Sequence, residues 1–209
     1  RIPRCLESLG LPPEQLQRHI GWDIGAAAVS RSLGEVLDAT VILQPYSRLV
    51  IDCNRPLRTS ESIVTRSEDT LIPGNHGLSH GEVTRRERDI FLPYHACIGE
   101  TLDARQRGGQ PTLLVAVHSF TPVYCGEPRP WHIGVLYNRD DRMARALACA
   151  LRAEPGLVVG DNEPYSVSDD TDYSIPEYGE RRGLLHVGIE IRQDLIADSP
   201  GQRRWAHRL

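Results

Sequence analysis

The sequence predicts an α/β domain built around a mostly parallel sheet, and two observations carry this prediction. Short, continuous apolar runs such as Leu113–Val117 are typical of strands that are buried on both faces, as they are in parallel sheets. Segments with apolar residues at helical spacing, such as Trp22–Leu37, separate these runs. The alternation of the two patterns indicates strand–helix–strand units that share one sheet.

Length and composition narrow the class of protein. A chain of 209 residues favours one domain spanning residues 1–209, and no apolar run approaches the roughly 18 residues that would indicate a membrane span. The net charge is −4, and the basic residues, all arginines, form no clustered basic face. The five cysteines are widely spaced without a CxxC pair, which is typical of reduced thiols. We expect a cytoplasmic protein that binds neither membranes nor nucleic acid.

The first half of the chain is predicted to alternate helices with short strands. The predicted elements are helices at Pro12–His19, Trp22–Leu37 and Arg85–Arg107, with strands at Thr40–Leu43 and Arg48–Ile51. Pro93 lies inside the third helix and should kink or divide it. Asp23 stands at the start of the second helix, where it is either an N-cap or part of a site.

The second half supplies most of the predicted sheet. The predicted elements are strands at Leu113–His118, His132–Tyr137, Leu157–Val159 and His186–Ile191, with helices at Met143–Leu151 and Gln193–Leu209. A polar, acidic loop runs from Gly160 to Gly183. Such a loop is either an ion or substrate rim or simply solvated.

Polar side chains follow or interrupt three of these predicted strands. Ligands bind at the carboxyl edge of open α/β sheets, so His118 is a candidate metal ligand or proton carrier, or else a histidine bound to a backbone carbonyl. Asn54 and Arg55 could anchor a substrate carboxylate through parallel hydrogen bonds, or could hold their own loop by a salt bridge. Glu190 projects from an apolar strand with Arg192 on the same face, which predicts a Glu190–Arg192 ion pair of catalytic or structural purpose.

Together these residue types indicate a particular chemistry. An imidazole ligand, a glutamate on a strand and an anion-binding arginine are the parts of a zinc-dependent hydrolase that acts on a carboxylate-bearing amide. The sequence leaves two other hypotheses open. One is a non-catalytic protein that binds the same ligand with a degenerate metal site, and the other is a cysteine hydrolase that uses Cys125 with His118.

A set of short motifs resembles a known family. The motifs are HIGWDIGAAAV, YSRLVIDCNRP, IPGN, VAVHSFTP, VGDNEPYS and GIEIRQDLI, spread over residues 19–196. They resemble the N-formylglutamate amidohydrolase family, which is similar in fold to zinc carboxypeptidases and aspartoacylase. The resemblance implies a three-layer sandwich with a mostly parallel mixed central sheet, of the phosphorylase/hydrolase-like and zinc-exopeptidase-like type. It also implies hydrolysis of N-formyl-L-glutamate or a related N-acyl amino acid, with zinc or another divalent metal as cofactor.

The resemblance also implies roles for individual residues. The DLNR motif of the relatives matches Asp52–Arg55, which implies that Asn54 and Arg55 bind the substrate. By the same resemblance His118 binds the metal and Glu190 is the acid–base residue, while we assign Arg192 to substrate binding. The relatives carry a first zinc histidine just before the position that corresponds to Arg1, so we expect a further N-terminal strand with that ligand. Asp23, which the resemblance does not supply directly, is predicted to complete the metal site.

Overall fold

The computed structural model describes all of residues 1–209. In chain order the α-helices are α1 (Pro13–Leu16), α2 (Ala26–Leu37), α3 (His80–Arg86), α4 (Leu92–Arg107), α5 (Arg142–Arg152) and α6 (Ser199–Arg208). The strands are β1 (Arg66–Ser67), β2 (Thr70–Leu71), β3 (Leu113–Phe120), β4 (Val123–Tyr124), β5 (Glu127–Pro128), β6 (Ile133–Leu136), β7 (Val159–Asp161) and β8 (Leu185–Arg192). Short 3₁₀ helices span Arg4–Gly10, Pro73–Asn75 and Gln193–Ile196, and π-helical turns span Glu87–Phe91 and Ile175–Glu180.

The central sheet has four strands in the order β3-β8-β6-β7. The pairs β3–β8 and β6–β7 are parallel, whereas β6 and β8 run antiparallel. Two separate two-stranded sheets, β1–β2 and β4–β5, are antiparallel. The predicted α/β class with a mostly parallel mixed sheet is confirmed, and helices flank the sheet as in a three-layer sandwich.

The chain groups into two compact units. The first contains residues 1–22, 42–111 and 170–173, and the second contains residues 23–41, 112–169 and 174–209. The second unit holds the central sheet with α2, α5 and α6. The single domain over residues 1–209 stays a prediction. No helix combines the length and the apolar character that a membrane crossing requires.

One face of the central sheet is apolar and forms the core of the second unit. Alternate residues of a strand point to opposite faces, and Val187, Ile189 and Ile191 of β8 share one of these faces. They pack with Val29 of α2, Ala148 of α5 and Trp205 of α6, all buried. We call this the apolar face. The opposite face, which we call the site face, carries Glu190 and is lined in part by a small apolar cluster around Leu136.

The first unit has its own core, and the predicted strands at Thr40–Leu43 and Arg48–Ile51 are both wrong. Thr40–Leu43 is irregular, and Arg48–Ile51 forms a turn whose apolar side chains are buried. The carbonyls of Leu49 and Val50 accept side-chain hydrogen bonds from Asn75 at 2.8 Å and Arg86 at 2.9 Å. These side chains take the place of a neighbouring strand.

The predicted helices form with adjusted ends. Helix α1 is shorter than predicted, and the last predicted helix divides into the 3₁₀ turn at Gln193–Ile196 and α6. The predicted Arg85–Arg107 helix is α3, a π-helical turn and α4. Pro93 is the second residue after that π turn, and because proline has no N–H to donate, the wider turn accommodates the missing hydrogen bond.

Candidate active site

The site is organised by a row of four residues across the central sheet. His118 of β3 is in register with Glu190 of β8, Glu190 with Gly134 of β6, and Gly134 with Gly160 of β7. Residues in register point to the same face of a sheet, so all four lie on the site face. We call them the site row. The sheet therefore brings the two predicted chemical groups, His118 and Glu190, side by side on neighbouring strands.

Asp23 joins this row through His118. Its Oδ2 lies 2.7 Å from Nδ1 of His118, and the two side chains are 29% and 31% exposed. The predicted alternative that Asp23 caps α2 is wrong, because the N-cap is Gly25 with φ of 81°. A Cβ at Gly25 would lie 2.3 Å from the carbonyl oxygen of Ile196, so only glycine fits this turn. The turn leaves the Asp23 carboxylate available to the imidazole.

Glycines make room on the far side of Glu190. A Cβ at Gly134 would lie 2.0 Å from the carbonyl oxygen of Glu163, and one at Gly160 would lie 2.7 Å from the same atom. The Glu163 backbone is therefore seated directly on the two glycines of the site row. Glu190, which is 9% exposed, lies between this loop contact and His118.

Arg192 does not form the ion pair that the strand alternation suggested. Its guanidinium binds Asp194 through Nε at 2.8 Å and Nη2 at 3.2 Å. The chain leaves the strand for a 3₁₀ turn at Gln193, which brings the Asp194 carboxylate close to the end of β8. The predicted Glu190–Arg192 pair is thus replaced by an Arg192–Asp194 pair. The substrate role of Arg192 stays a prediction.

Asn54 and Arg55 belong to the first unit, where they follow the Arg48–Ile51 turn and not a strand of the sheet. Asn54 Nδ2 donates to Asp172 at 3.0 Å, and its Oδ1 accepts from the backbone N–H of Tyr173 at 3.3 Å. Arg55 donates to the carbonyl oxygen of Thr171 and lies 3.7 Å from the Asp172 carboxylate. The loop-holding salt bridge that the sequence left open is therefore present. It fixes both side chains in defined positions.

The donor types at the site row suit a metal ion. Zinc accepts imidazole nitrogen and carboxylate oxygen, and catalytic zinc sites use three protein ligands with an open fourth position. His118 and Asp23 supply two such donors in mutual contact. No group of three or more His, Cys, Asp or Glu side chains in residues 1–209 is arranged to hold a metal. His118 and Asp23 are thus the kinds of ligand that zinc binds, and they supply two of the three protein ligands of a catalytic site.

Cys125 has a different setting. It lies exposed at the turn of the β4–β5 hairpin, with φ of 49° next to Gly126 at 87°. The imidazole of His118, the proposed partner of Cys125, contacts Asp23 instead. This arrangement gives the cysteine-hydrolase hypothesis no support.

Sequence reasoning missed the two glycines of the site row. A signal was available, because glycine inside a strand weakens it and often marks a close approach of another backbone. Gly134 lies inside a short apolar strand, and Gly160 directly follows the apolar run Leu157–Val159. Here the approaching backbone is that of Glu163.

A comparison with known families identifies the family of this chain. The profile described as N-formylglutamate amidohydrolase matches residues 1–197. The chain belongs to this family. The family supports the assignment of the protein as an amidohydrolase with a small-molecule substrate, and the matched range includes His118 and Glu190.

Solved structures with the same fold extend the comparison. The gene product Atu2144 from Agrobacterium tumefaciens is 39% identical, with a TM-score of 0.95 over 99% of this chain and 82% of that one. An N-formylglutamate amidohydrolase from Ralstonia eutropha JMP134 is 20% identical, with a TM-score of 0.71 over 100% of this chain and 85% of that one. The second likeness establishes the fold. No match was found among curated proteins.

Proposed function

We propose that this member of the N-formylglutamate amidohydrolase family hydrolyses the amide of N-formyl-L-glutamate, or of a closely related N-acyl amino acid. The products are formate, or the corresponding carboxylate, and the free amino acid. One observation carries the proposal: His118, bound to Asp23, lies in register with the buried Glu190 on one face of the sheet. An imidazole, its carboxylate partner and a second carboxylate are the groups that amide hydrolysis needs.

Glu190 is proposed as the acid–base residue. It takes a proton from the attacking water as the oxygen bonds to the acyl carbon, and it returns the proton to the amine nitrogen as the C–N bond breaks. Its position on a central strand holds the carboxylate rigidly, since β8 is paired on both sides. Gly134, its neighbour on one side, has no side chain to fill the space beside it.

His118 and Asp23 are the residues that would hold a metal ion. A bound zinc ion would act as a Lewis acid that acidifies water and polarises the amide carbonyl. The 2.7 Å contact with the Asp23 carboxylate orients the imidazole ring. The edge position of β3 in the sheet leaves both groups partly exposed to solvent and ligand.

Asn54 and Arg55 are proposed to bind a carboxylate of the substrate. The planar guanidinium of arginine matches a carboxylate through two parallel hydrogen bonds. The contacts of both side chains with residues 171–173 hold them in place before a substrate arrives. Preorganised groups of this kind lose less entropy on binding than mobile ones.

Formate release from N-formyl-L-glutamate tests the proposal, with Glu190→Gln as the decisive variant. The amide keeps the size of the side chain but cannot take up the proton, so kcat should fall by about 100- to 10,000-fold. Bound metal should be unchanged, because Glu190 is not among the proposed ligands.

Glu35→Gln is the matched control, since Glu35 is exposed on α2 and undergoes the same chemical change. It should retain full activity. Wild-type turnover that persists in Glu190→Gln would remove Glu190 from its proposed role. Absence of formate release from the wild-type protein would reject the substrate.

A further inference from the structure

The hairpin that follows β3 places an arginine next to the site face. Strands β4 and β5 pair around a turn at Cys125 and Gly126, and the N–H of Arg129 donates to the carbonyl oxygen of Pro122 at 2.8 Å. This hydrogen bond closes the base of the hairpin just beyond Phe120, the last residue of β3. The position of Arg129 is therefore set by backbone contacts rooted at the carboxyl end of β3.

Aromatic rings surround the Arg129 guanidinium. Its central carbon lies 4.5 Å from the ring centre of Tyr124, 4.7 Å from that of Tyr165 and 5.9 Å from that of Phe120. Nη1 donates to the hydroxyl of Tyr165 at 2.7 Å, which is an uncharged acceptor. Stacked rings hold the guanidinium plane, and they leave its N–H edge as the part that can receive a further ligand.

No carboxylate of the protein neutralises this arginine. The contacts of Arg129 are with aromatic side chains and one hydroxyl. Within the same unit Arg139, Arg142 and Arg192 each bind an acidic side chain. Arg129 is partly exposed, so a ligand from solvent can reach its guanidinium. A planar anion would supply the missing partner.

Two of the rings around Arg129, Phe120 and Tyr165, belong to segments that adjoin the site row. Phe120 lies two residues beyond His118 on the same face of β3, which separates their Cα atoms by about 6 to 7 Å. Tyr165 lies two residues beyond Glu163, whose backbone is seated on Gly134 and Gly160. An anion on Arg129 would therefore lie within one small molecule's length of the reacting groups.

We propose that Arg129, held by Tyr165, binds a second carboxylate of the substrate and makes the enzyme selective for acidic amino acids. The inference rests on the proposed function, in which N-formyl-L-glutamate carries a side-chain carboxylate in addition to its α-carboxylate. Arg129 supplies the cation for the side-chain carboxylate. A neutral side chain of equal size would offer this edge of the guanidinium no charged partner, which is the basis of discrimination between acidic and neutral substrates.

The test compares N-formyl-L-glutamate with N-formyl-L-glutamine, which differs only in the charge and hydrogen bonding of the side-chain end. Arg129→Gln should lower kcat/KM for the glutamate substrate by about 10- to 100-fold, mainly through KM. Turnover of the glutamine substrate should stay within about twofold. Arg129→Lys keeps the charge without the planar fork and should fall between the two. Arg31→Gln, on an exposed position of α2, is the matched control and should behave as wild type.

Calorimetric binding of L-glutamate and L-glutamine separates failure of this inference from failure of the proposed function. The wild-type protein could release no formate and the subsite would still be upheld, provided that Arg129→Gln loses binding of L-glutamate but not of L-glutamine. In the kinetic test, an equal loss of kcat/KM on both substrates, or no loss on either, would overturn the inference. In the binding test, it would be overturned if the wild type does not bind L-glutamate, or if Arg129→Gln binds L-glutamate as well as the wild type does. Thermal unfolding identifies misfolding of Arg129→Gln, in which case Arg129→Lys and Tyr165→Phe decide by the same comparison.

Discussion

Replacing Gly134 by alanine should damage both stability and turnover. The new Cβ would lie 2.0 Å from the carbonyl oxygen of Glu163, whereas real Cβ contacts are essentially never under 3.0 Å. The Glu163 peptide must therefore move by about 1 Å, and overpacking of this kind costs about 1 to 3 kcal/mol. Each kcal/mol lowers the unfolding midpoint by about 2 to 4 °C in a chain of this size. Because Gly134 adjoins Glu190, kcat/KM for N-formyl-L-glutamate should also fall, by roughly 10- to 100-fold.

Thermal unfolding and formate release measure the two effects. Gly81→Ala is the control, since a Cβ at Gly81 in α3 meets nothing closer than the Ser79 hydroxyl at 4.0 Å. Gly81 lies in the first turn of α3 with room for a methyl group, so this variant should be at least as stable as the wild type and fully active. Wild-type stability and turnover in Gly134→Ala would refute the close contact between the Glu163 loop and the site row.

Two further predictions concern the first unit. Burial lowers the pKa of His95 to about 4, despite its hydrogen-bond contact with the carbonyl oxygen of Cys53 at 2.9 Å. The unfolded imidazole has a pKa near 6.5, so the stability contributed by neutral His95 is complete above about pH 6.5 and is lost as the pH falls towards 4. Unfolding midpoints should therefore fall more steeply over this range in the wild type than in His95→Gln, and equal slopes would contradict the assignment. Arg86→Met should lower the free energy of unfolding by about 3 kcal/mol, because the buried guanidinium donates at 2.9 Å to Val50, 2.7 Å to Asn75 and 3.1 Å to Gly74. Denaturant titration measures this free energy of unfolding. Arg88→Met, at an exposed position, is the control and should unfold with nearly the wild-type free energy. A wild-type free energy of unfolding in Arg86→Met would count against the buried network.

The strands that carry the chemistry could be predicted because their signal is local. The apolar runs leading to His118 and Glu190 indicate buried strands, and each strand forms with two more residues than predicted. The expectation that polar groups of parallel strands meet was correct for this pair, since β3 and β8 are parallel neighbours. The register that aligns His118 with Glu190 depends on long-range pairing.

The Arg48–Ile51 segment shows where local sequence misleads. A short apolar run has the same pattern in a buried turn as in a buried strand. The groups that satisfy its carbonyls, Asn75 and Arg86, lie 26 and 36 residues further along the chain. Local periodicity contains no information about such distant side chains.

The partner of Arg192 illustrates a second limit. Strand alternation places Arg192 and Glu190 on one face, about 6 to 7 Å apart between Cα atoms. The turn that begins at Gln193 brings Asp194 within 2.8 Å of the guanidinium instead. The end of a strand is its least predictable part. Here the turn that starts at Gln193 determines that Arg192 pairs with Asp194 and not with Glu190.

Metal content measured together with formate release tests the central claim most directly. Elemental analysis of the purified full-length protein should give about one zinc or equivalent divalent ion per chain, as a catalytic site requires. His118→Ala should lose the ion, and Asp23→Asn should bind it more weakly. Formate release from N-formyl-L-glutamate should fall in step with the metal content. A protein that releases formate without bound metal, or that keeps its metal in both variants, would contradict the assignment of the site row as the hydrolytic centre.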